Sequence, residues 1–260
     1  MCTSASMCPP LAICLRDATT ESYALVENTA FMQCLRARYI TTESFRQLLA
    51  NLYFIYDALE QEMRNHSNHP VISNLYFPRL ERTLQLEKDL QFYYGDDWRS
   101  QIHPSRKTLC YVMRIHWAAN DNPALLAAHA YVRYMGDLSD GQGLKASIRS
   151  ALALPNEGGT AFYEFKGLPT VKAQQTFKAI YRDALNVLPL ETDLATALIE
   201  EARLAFMLNR DVLKGLEPQL RIAIGEAKWQ LIWGETSLST AGYHKRHHRS
   251  TELVSAIRDT

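Results

Sequence analysis

Apolar residues recur at three- and four-residue intervals along most of the chain, the spacing of one face of an α-helix. Residues 11–25 carry Leu11, Cys14, Leu15, Ala18, Ser22 and Leu25 in that register. Pro9-Pro10 stands just before them, where a first helical turn tolerates proline. A short helix is predicted over about 28–37. The strongest pattern covers 43–66, with Phe45, Leu48, Leu49, Leu52, Ile55, Tyr56, Leu59 and Met63 on one face. Further helices are predicted over about 79–93, 105–119, 123–154, 169–187 and 192–224. Pro78, Gly95, the loop around Pro155-Asn156 and Gly158-Gly159, and Pro189 punctuate them. No alternating strand pattern and no 20–50-residue repeat is visible. The expected architecture is a single-domain, all-α helical bundle over residues 10–225, with an N-terminal segment 1–9 and a C-terminal tail 226–260.

Composition narrows the function classes. A 260-residue chain that is 47% hydrophobic can bury one sizeable core. Its 28 basic and 28 acidic residues cancel, which argues against a nucleic-acid partner. Five cysteines, an odd number with no CxxC pair, argue against a disulfide framework and for a reducing compartment. The start of the chain lacks the basic-then-apolar pattern of a secretory signal. No apolar run of 18 residues is present, so no membrane span is expected. The tail holds Trp229, Trp233 and the cluster His244-Lys245-Arg246-His247-His248-Arg249. It reads as a mobile segment with a short amphipathic helix, or as a metal or anionic-surface contact.

The predicted helix over 123–154 is interrupted by Gly136, Gly141 and Gly143. Each interior glycine costs a helix about 1 kcal/mol relative to alanine. Such a segment can kink, or let its backbone approach a flat ligand. Equally, small residues here suit a close helix crossing. Arg133, Tyr134 and Asp137 place polar groups beside the expected bend.

The run Tyr131-x-Arg133-Tyr134-x-Gly136-Asp137-Leu138-Ser139-x-Gly141-Gln142 resembles the signature of the haem oxygenase family. Glu27-Asn28, Asn51-Leu52-Tyr53-x-x-Tyr56, His69-Pro70-Val71-Ile72, Leu90 to Gly95, Gly158 to Tyr163, Phe177-Lys178-x-x-Tyr181-Arg182 and Ala205-Phe206-x-x-Asn209 fit the same family. The soluble cyanobacterial and algal-plastid members are the most similar in character. The resemblance implies a bundle that clamps haem between a proximal first helix and the kinked distal helix. Haem would be substrate and cofactor, opened with O2 and electrons from an external donor such as ferredoxin or a similar reductase. The products would be biliverdin, carbon monoxide and iron, and the expected compartment is the cytoplasm, or the plastid stroma in an alga.

Carried over residue by residue, the resemblance puts Gly136 over the haem face. Asp137 would anchor a distal water network that supplies protons, a general-acid role. Arg133, Tyr56 and Asn209 match positions in that network. Lys178 and Arg182, at i and i+4 of one helix, would pair with the propionates, with Tyr131 close by and Arg16 on the proximal side. Glu27 and Phe206 complete the expected haem contacts.

Two positions depart from the family pattern. Aligning Leu15-Arg16-x-Ala18-Thr19 and Glu27-Asn28 leaves Tyr23 where the family has its iron-binding histidine, and the first histidine in this chain is His66. Tyr23 reads as a phenolate ligand to iron, or as a side chain that only packs against the pocket. Asp140 stands where the family has glycine. It reads as an iron or water contact, or as a residue pointing away from the haem. Two functions follow: an enzyme with an atypical axial ligand, or a haem-binding sensor, carrier or buffer. A bilin binder is a further alternative. His116 and His129 are expected to be ordinary hydrogen-bonded side chains.

Overall fold

The structure, a computed structural model, describes residues 9–232, leaving aside the side chains of Asp140 and Gln142. The basic tail cluster 244–249 therefore lies outside the described residues. The elements are α-helices α1 (Leu11–Glu27), α2 (Ala30–Arg36), α3 (Thr42–Asn65), α4 (Ile72–Leu75), α5 (Thr83–Tyr94), α6 (Trp98–Gln101), α7 (Arg106–Asp121), α8 (Leu126–Ala151), α9 (Val171–Asn186) and α10 (Thr192–Ile224). Three 3-10 turns join them, at Pro78–Leu80, Pro123–Leu125 and Ala161–Tyr163. No strand occurs among the described residues, and the fold is all-α as expected.

Side-chain caps set several starts. Thr41 accepts from the Ser44 amide at 3.2 Å, Ser105 from Thr108 at 3.1 Å and Thr170 from Ala173 at 3.1 Å, opening α3, α7 and α9. Each such cap contributes about 1 kcal/mol. The helix expected from residue 79 begins only at Thr83. A 3-10 turn precedes it, and the buried Glu60 carboxylate of α3 takes the free amides of Arg82 and Thr83. A distant carboxylate thus does the work of an N-cap, which a local pattern does not reveal. The four-residue helices α4 and α6 are too short to leave a periodic trace.

Two helices differ from expectation in ways that matter for the site. In α1 the buried face is Ala12, Leu15, Thr19 and Val26, not the stripe ending at Leu25, which is half exposed. Thr19 can face inward because its hydroxyl donates to the Leu15 carbonyl at 2.7 Å. The glycines of α8 do not interrupt it, and the helix is continuous from Leu126 to Ala151. Its flanks are held by burial of Ala128, Ala130, Val132, Tyr134, Met135, Leu138 and Ile148, which outweighs about 1 kcal/mol per glycine.

Helix α10 packs along α1, α8 and α7, while α3 lies against α5, α7 and α8. The core runs through this bundle, and α1 and α8 leave a slot between them. After Gly225, whose φ of 83° ends α10, residues 226–232 are helical again and Trp229 is buried.

Candidate functional site

The slot comprises two adjoining cavities that share Tyr23, Val132, Gly136 and Phe206. The inner one, about 110 Å³, is mostly apolar, with Val26, Met32, Leu48, Leu52, Leu144 and Phe162 among its walls. Its polar groups are Glu27, Arg133, Asp137, Tyr163 and Asn209. The outer one, about 220 Å³, is edged by Arg16, Thr19, Thr20, Tyr131, Ser139 and Arg182.

One wall is built by α8. Gly136 lines both cavities, and no atom lies within 4 Å of where a Cβ would project. A side chain there would enter the slot. One residue on, the Asp137 carboxylate accepts a short hydrogen bond from the Tyr56 hydroxyl of α3. Arg133 Nε donates to the same hydroxyl at 3.1 Å, and its Nη1 donates to Asn209 Oδ1 of α10 at 2.6 Å. Three helices therefore converge on one polar chain, Asp137–Tyr56–Arg133–Asn209.

Its electrostatics follow from enclosure. Removal from water pushes the Asp137 carboxyl above its ordinary value, while Arg133, the Tyr56 hydroxyl and Arg82 pull it back. Burial drives the Tyr56 phenol well up, so it stays protonated and remains a donor. Burial opposes the charge on Arg133, but Tyr56 and Asp137 outweigh it and the guanidinium stays charged.

The facing wall is α1. Tyr23 borders both cavities, 38% exposed, with its ring edge-on to Phe206 at 6.1 Å. Glu27, one turn on, is ion-paired with Arg36 of α2. At the outer edge Arg16 pairs with Asp17 at 2.8 Å. Tyr131 is half-buried there, and burial raises its phenol against the pull of a Thr19 hydrogen bond, Arg182 and Arg16. Lys178 Nζ donates to Ser139 Oγ at 3.1 Å, which ties α9 to α8 at the rim.

Residues 9–215 match the sequence profile described as Heme oxygenase. The chain is 48% identical over 239 residues to "Heme oxygenase 2" of Synechocystis sp., covering 90% of this chain and 96% of that one. It belongs to the haem oxygenase family. A crystal structure of heme oxygenase-2 from the same organism, in complex with heme and NO, superposes with a TM-score of 0.84 at 49% identity, over 86% of this chain and 91% of that one. Heme oxygenase-1 from that cyanobacterium, in complex with heme, gives 0.80 at 41% identity, over 86% of this chain and 99% of that one. Cleavage of haem to biliverdin is the function of the family.

The slot suits the ligand of a haem oxygenase. A flat apolar macrocycle matches an apolar gap whose α8 wall lacks a side chain at Gly136. Two propionates match the cationic outer edge with Arg16 and Arg182. Of the expected site residues, Tyr23, Glu27, Arg133, Gly136, Asp137, Phe206 and Asn209 line the inner cavity, and Tyr56 stands directly behind Asp137. Arg16, Tyr131 and Arg182 line the outer one. Lys178 reaches the rim through Ser139. Asp140 lies on α8, and its side chain is outside the described residues.

Three site features escape the sequence reading: Phe162 and Tyr163, which line the inner cavity, and Thr19 of the outer one. Their only signals were, for Thr19, the Leu15–Thr19 match to the family and, for the other two, the Gly158–Tyr163 match. Its glycines are required: Gly158 and Gly159 have φ of 83° and 76°, and a Cβ on either would come within 2.8 Å of Phe92 or Tyr93. The two histidines behave as expected, His129 bonding Glu201 at 2.9 Å and His116 bonding Glu62 at 2.7 Å.

Proposed function

We propose that this chain binds haem between α1 and α8 and opens it to biliverdin, carbon monoxide and iron, with Tyr23 as the proximal ligand. The observation that carries this reading is the Asp137–Tyr56–Arg133–Asn209 chain beside the bare backbone of Gly136. Haem, when bound, supplies the redox-active iron and is itself the ring that O2 opens. Gly136 gives the macrocycle room on the distal side. Asp137 holds a proton at its carboxyl facing the cavity and passes it on as a general acid. Tyr56 orients that carboxyl by donating to it, and Arg133 with Asn209 keeps Tyr56 in place. Arg16, Lys178 and Arg182 hold the propionates, with Tyr131 beside them, and Phe206 packs against Tyr23.

Were Tyr23 to hold the iron as a phenolate, it would favour the ferric form and oppose reduction. Electrons come from ferredoxin or a similar reductase, and the protein works in the cytoplasm or plastid stroma. Tyr23 also favours a second reading, a haem carrier or buffer that does not turn over. Hemin, ferredoxin, its reductase and NADPH separate the two. Biliverdin formed over many turnovers supports the enzyme. A ferric spectrum that persists under reductant supports the carrier. No spectral change on adding hemin contradicts both.

A further inference from the structure

Arg82 is about as deeply buried as a cation can be, 1% exposed, in the turn between the 3-10 segment at Pro78–Leu80 and α5. A buried guanidinium is costly unless every donor is satisfied. Here the four hydrogen bonds of its side chain all go to backbone carbonyls: Leu80 at 2.9 Å, Glu164 at 2.7 Å, and Phe162 and Arg79 at 3.3 Å each. Its guanidinium also stacks on the Phe165 ring at 3.9 Å. Glu60, the closest-packed carboxylate, bonds the Arg82 backbone amide and the Thr83 amide and hydroxyl. The charge of Arg82 is thus held by neutral dipoles.

Two of those carbonyls, Phe162 and Glu164, belong to the segment that lines the inner part of the slot. Arg82 grips the carbonyls of the 161–165 segment, while Asp89 of α5 takes the amides of Ala161 and Phe162, each at 2.8 Å. The segment presents Tyr163 to the cavity and lays Phe162 edge-on against Tyr56, with ring centroids 5.5 Å apart. Tyr56 in turn bonds Asp137. A continuous path runs Arg82–Phe162–Tyr56–Asp137, with a positive charge at one end and the cavity carboxylate at the other.

We infer that Arg82 is a positioning residue for Asp137: it holds the wall against which Tyr56 is oriented, and it sets a buried positive charge at the far end of the path that reaches that carboxyl. The groups facing Asp137 agree with this arrangement. Arg133 comes from α8, Tyr56 from α3, Asn209 from α10, and Tyr163 and Arg82 from the segments next to α5. Glu60 and Asp89, the other buried carboxylates nearby, are occupied by backbone amides. Of the cations acting on Asp137, Arg133 has its stronger effect and Arg82 the weaker.

This inference rests on reading Asp137 as the proton-holding group, so its test is made without turnover. The Asp137 carboxyl is titrated by 13C NMR in the haem-free full chain, with Asp137→Asn as the assignment control. Arg82→Gln keeps donors for the loop but removes the charge, and its Asp137 midpoint is expected to rise by about one pH unit. Arg149→Gln weakens another grip on the same loop, at Gly158 and Thr160, and is expected to leave the midpoint in place. An unmoved midpoint in Arg82→Gln, or an equal shift in Arg149→Gln, overturns the inference. Should Arg82→Gln fail to fold, Arg82→Lys carries the test. Because it retains the charge, Arg82→Lys is expected to keep the Asp137 midpoint within about half a unit of the original while amide exchange at 162–164 quickens. A displacement of a full unit contradicts it. A failed shift here leaves the catalytic reading of Asp137 untouched, because loss of turnover in Asp137→Asn tests that separately.

Discussion

The two walls of the slot are built differently. The α8 wall is braced: Asp137, Tyr56, Arg133 and Asn209 form one hydrogen-bonded chain across three helices, with Arg82 behind it. On the α1 wall, Tyr23 is 38% exposed and meets Phe206 edge-on, and Arg16 bonds its own neighbour Asp17 in solvent. A braced wall fixes geometry, which the proton-holding role proposed for Asp137 would need. The hydrogen bonds of the α8 wall link Asp137, Tyr56, Arg133 and Asn209 to one another, so the proposed proximal role of Tyr23 leaves that chain in place.

The largest effect is expected from breaking the braced wall. Asp137→Asn should lower biliverdin formation by on the order of 10²- to 10⁴-fold, with hemin affinity changed little. Steady-state turnover and hemin titration check this together, and a parallel loss of affinity would make Asp137 a binding residue instead.

Gly136→Ala sharpens the comparison because its two readouts should move oppositely. The new methyl meets no atom within 4 Å, so the helix gains up to about 1 kcal/mol. The same methyl enters the slot, so hemin binding weakens. Thermal melts and hemin titration measure the two, and stability lost on substitution would contradict an open site.

Removing one outer-edge cation, by Arg182→Ala or Arg16→Ala, should weaken hemin binding only several-fold, because exposed ion pairs contribute about 1 kcal/mol or less. Fluorescence quenching by hemin is a sufficient measure.

The smallest effects concern stability against pH away from the slot. Glu201 is buried, which opposes its charge, but hydrogen bonds from Arg114 and His129 hold its carboxyl down at about 2. Its contribution is present above the unfolded value of 4.5 and is lost as pH falls towards 2. Glu60 is the reverse: burial pushes it up to about 7. The folded state then holds the extra proton between 4.5 and 7, so stability declines as pH rises through that window. Glu201→Gln should flatten the acid limb and Glu60→Gln the decline towards neutrality, as followed by urea unfolding at each pH.

Much of this was legible from the chain. Strong periodicity marked α3 and α10, because burial of one face dictates it. The family signature located α8 and most of the slot's lining. What was hidden depended on distant partners. The start of α5 is set by Glu60, 22 residues away from Arg82. The inward face of α1 depends on Thr19 satisfying its own hydroxyl. The burial of Arg82 shows only once the carbonyls around it are known. The continuity of α8 through its glycines was hidden too, since local propensity counts their cost and not the packing that overrides it.

Tyr23 is proposed as the iron ligand on the α1 wall, facing the hydrogen-bonded α8 wall. The most direct test compares the ferric hemin complexes of the original chain, Tyr23→Phe and Tyr23→His by resonance Raman, before and after reduction. A phenolate signature in the original chain that vanishes in Tyr23→Phe, with easier reduction in Tyr23→His, is the predicted result. Identical spectra in the original chain and Tyr23→Phe would contradict it.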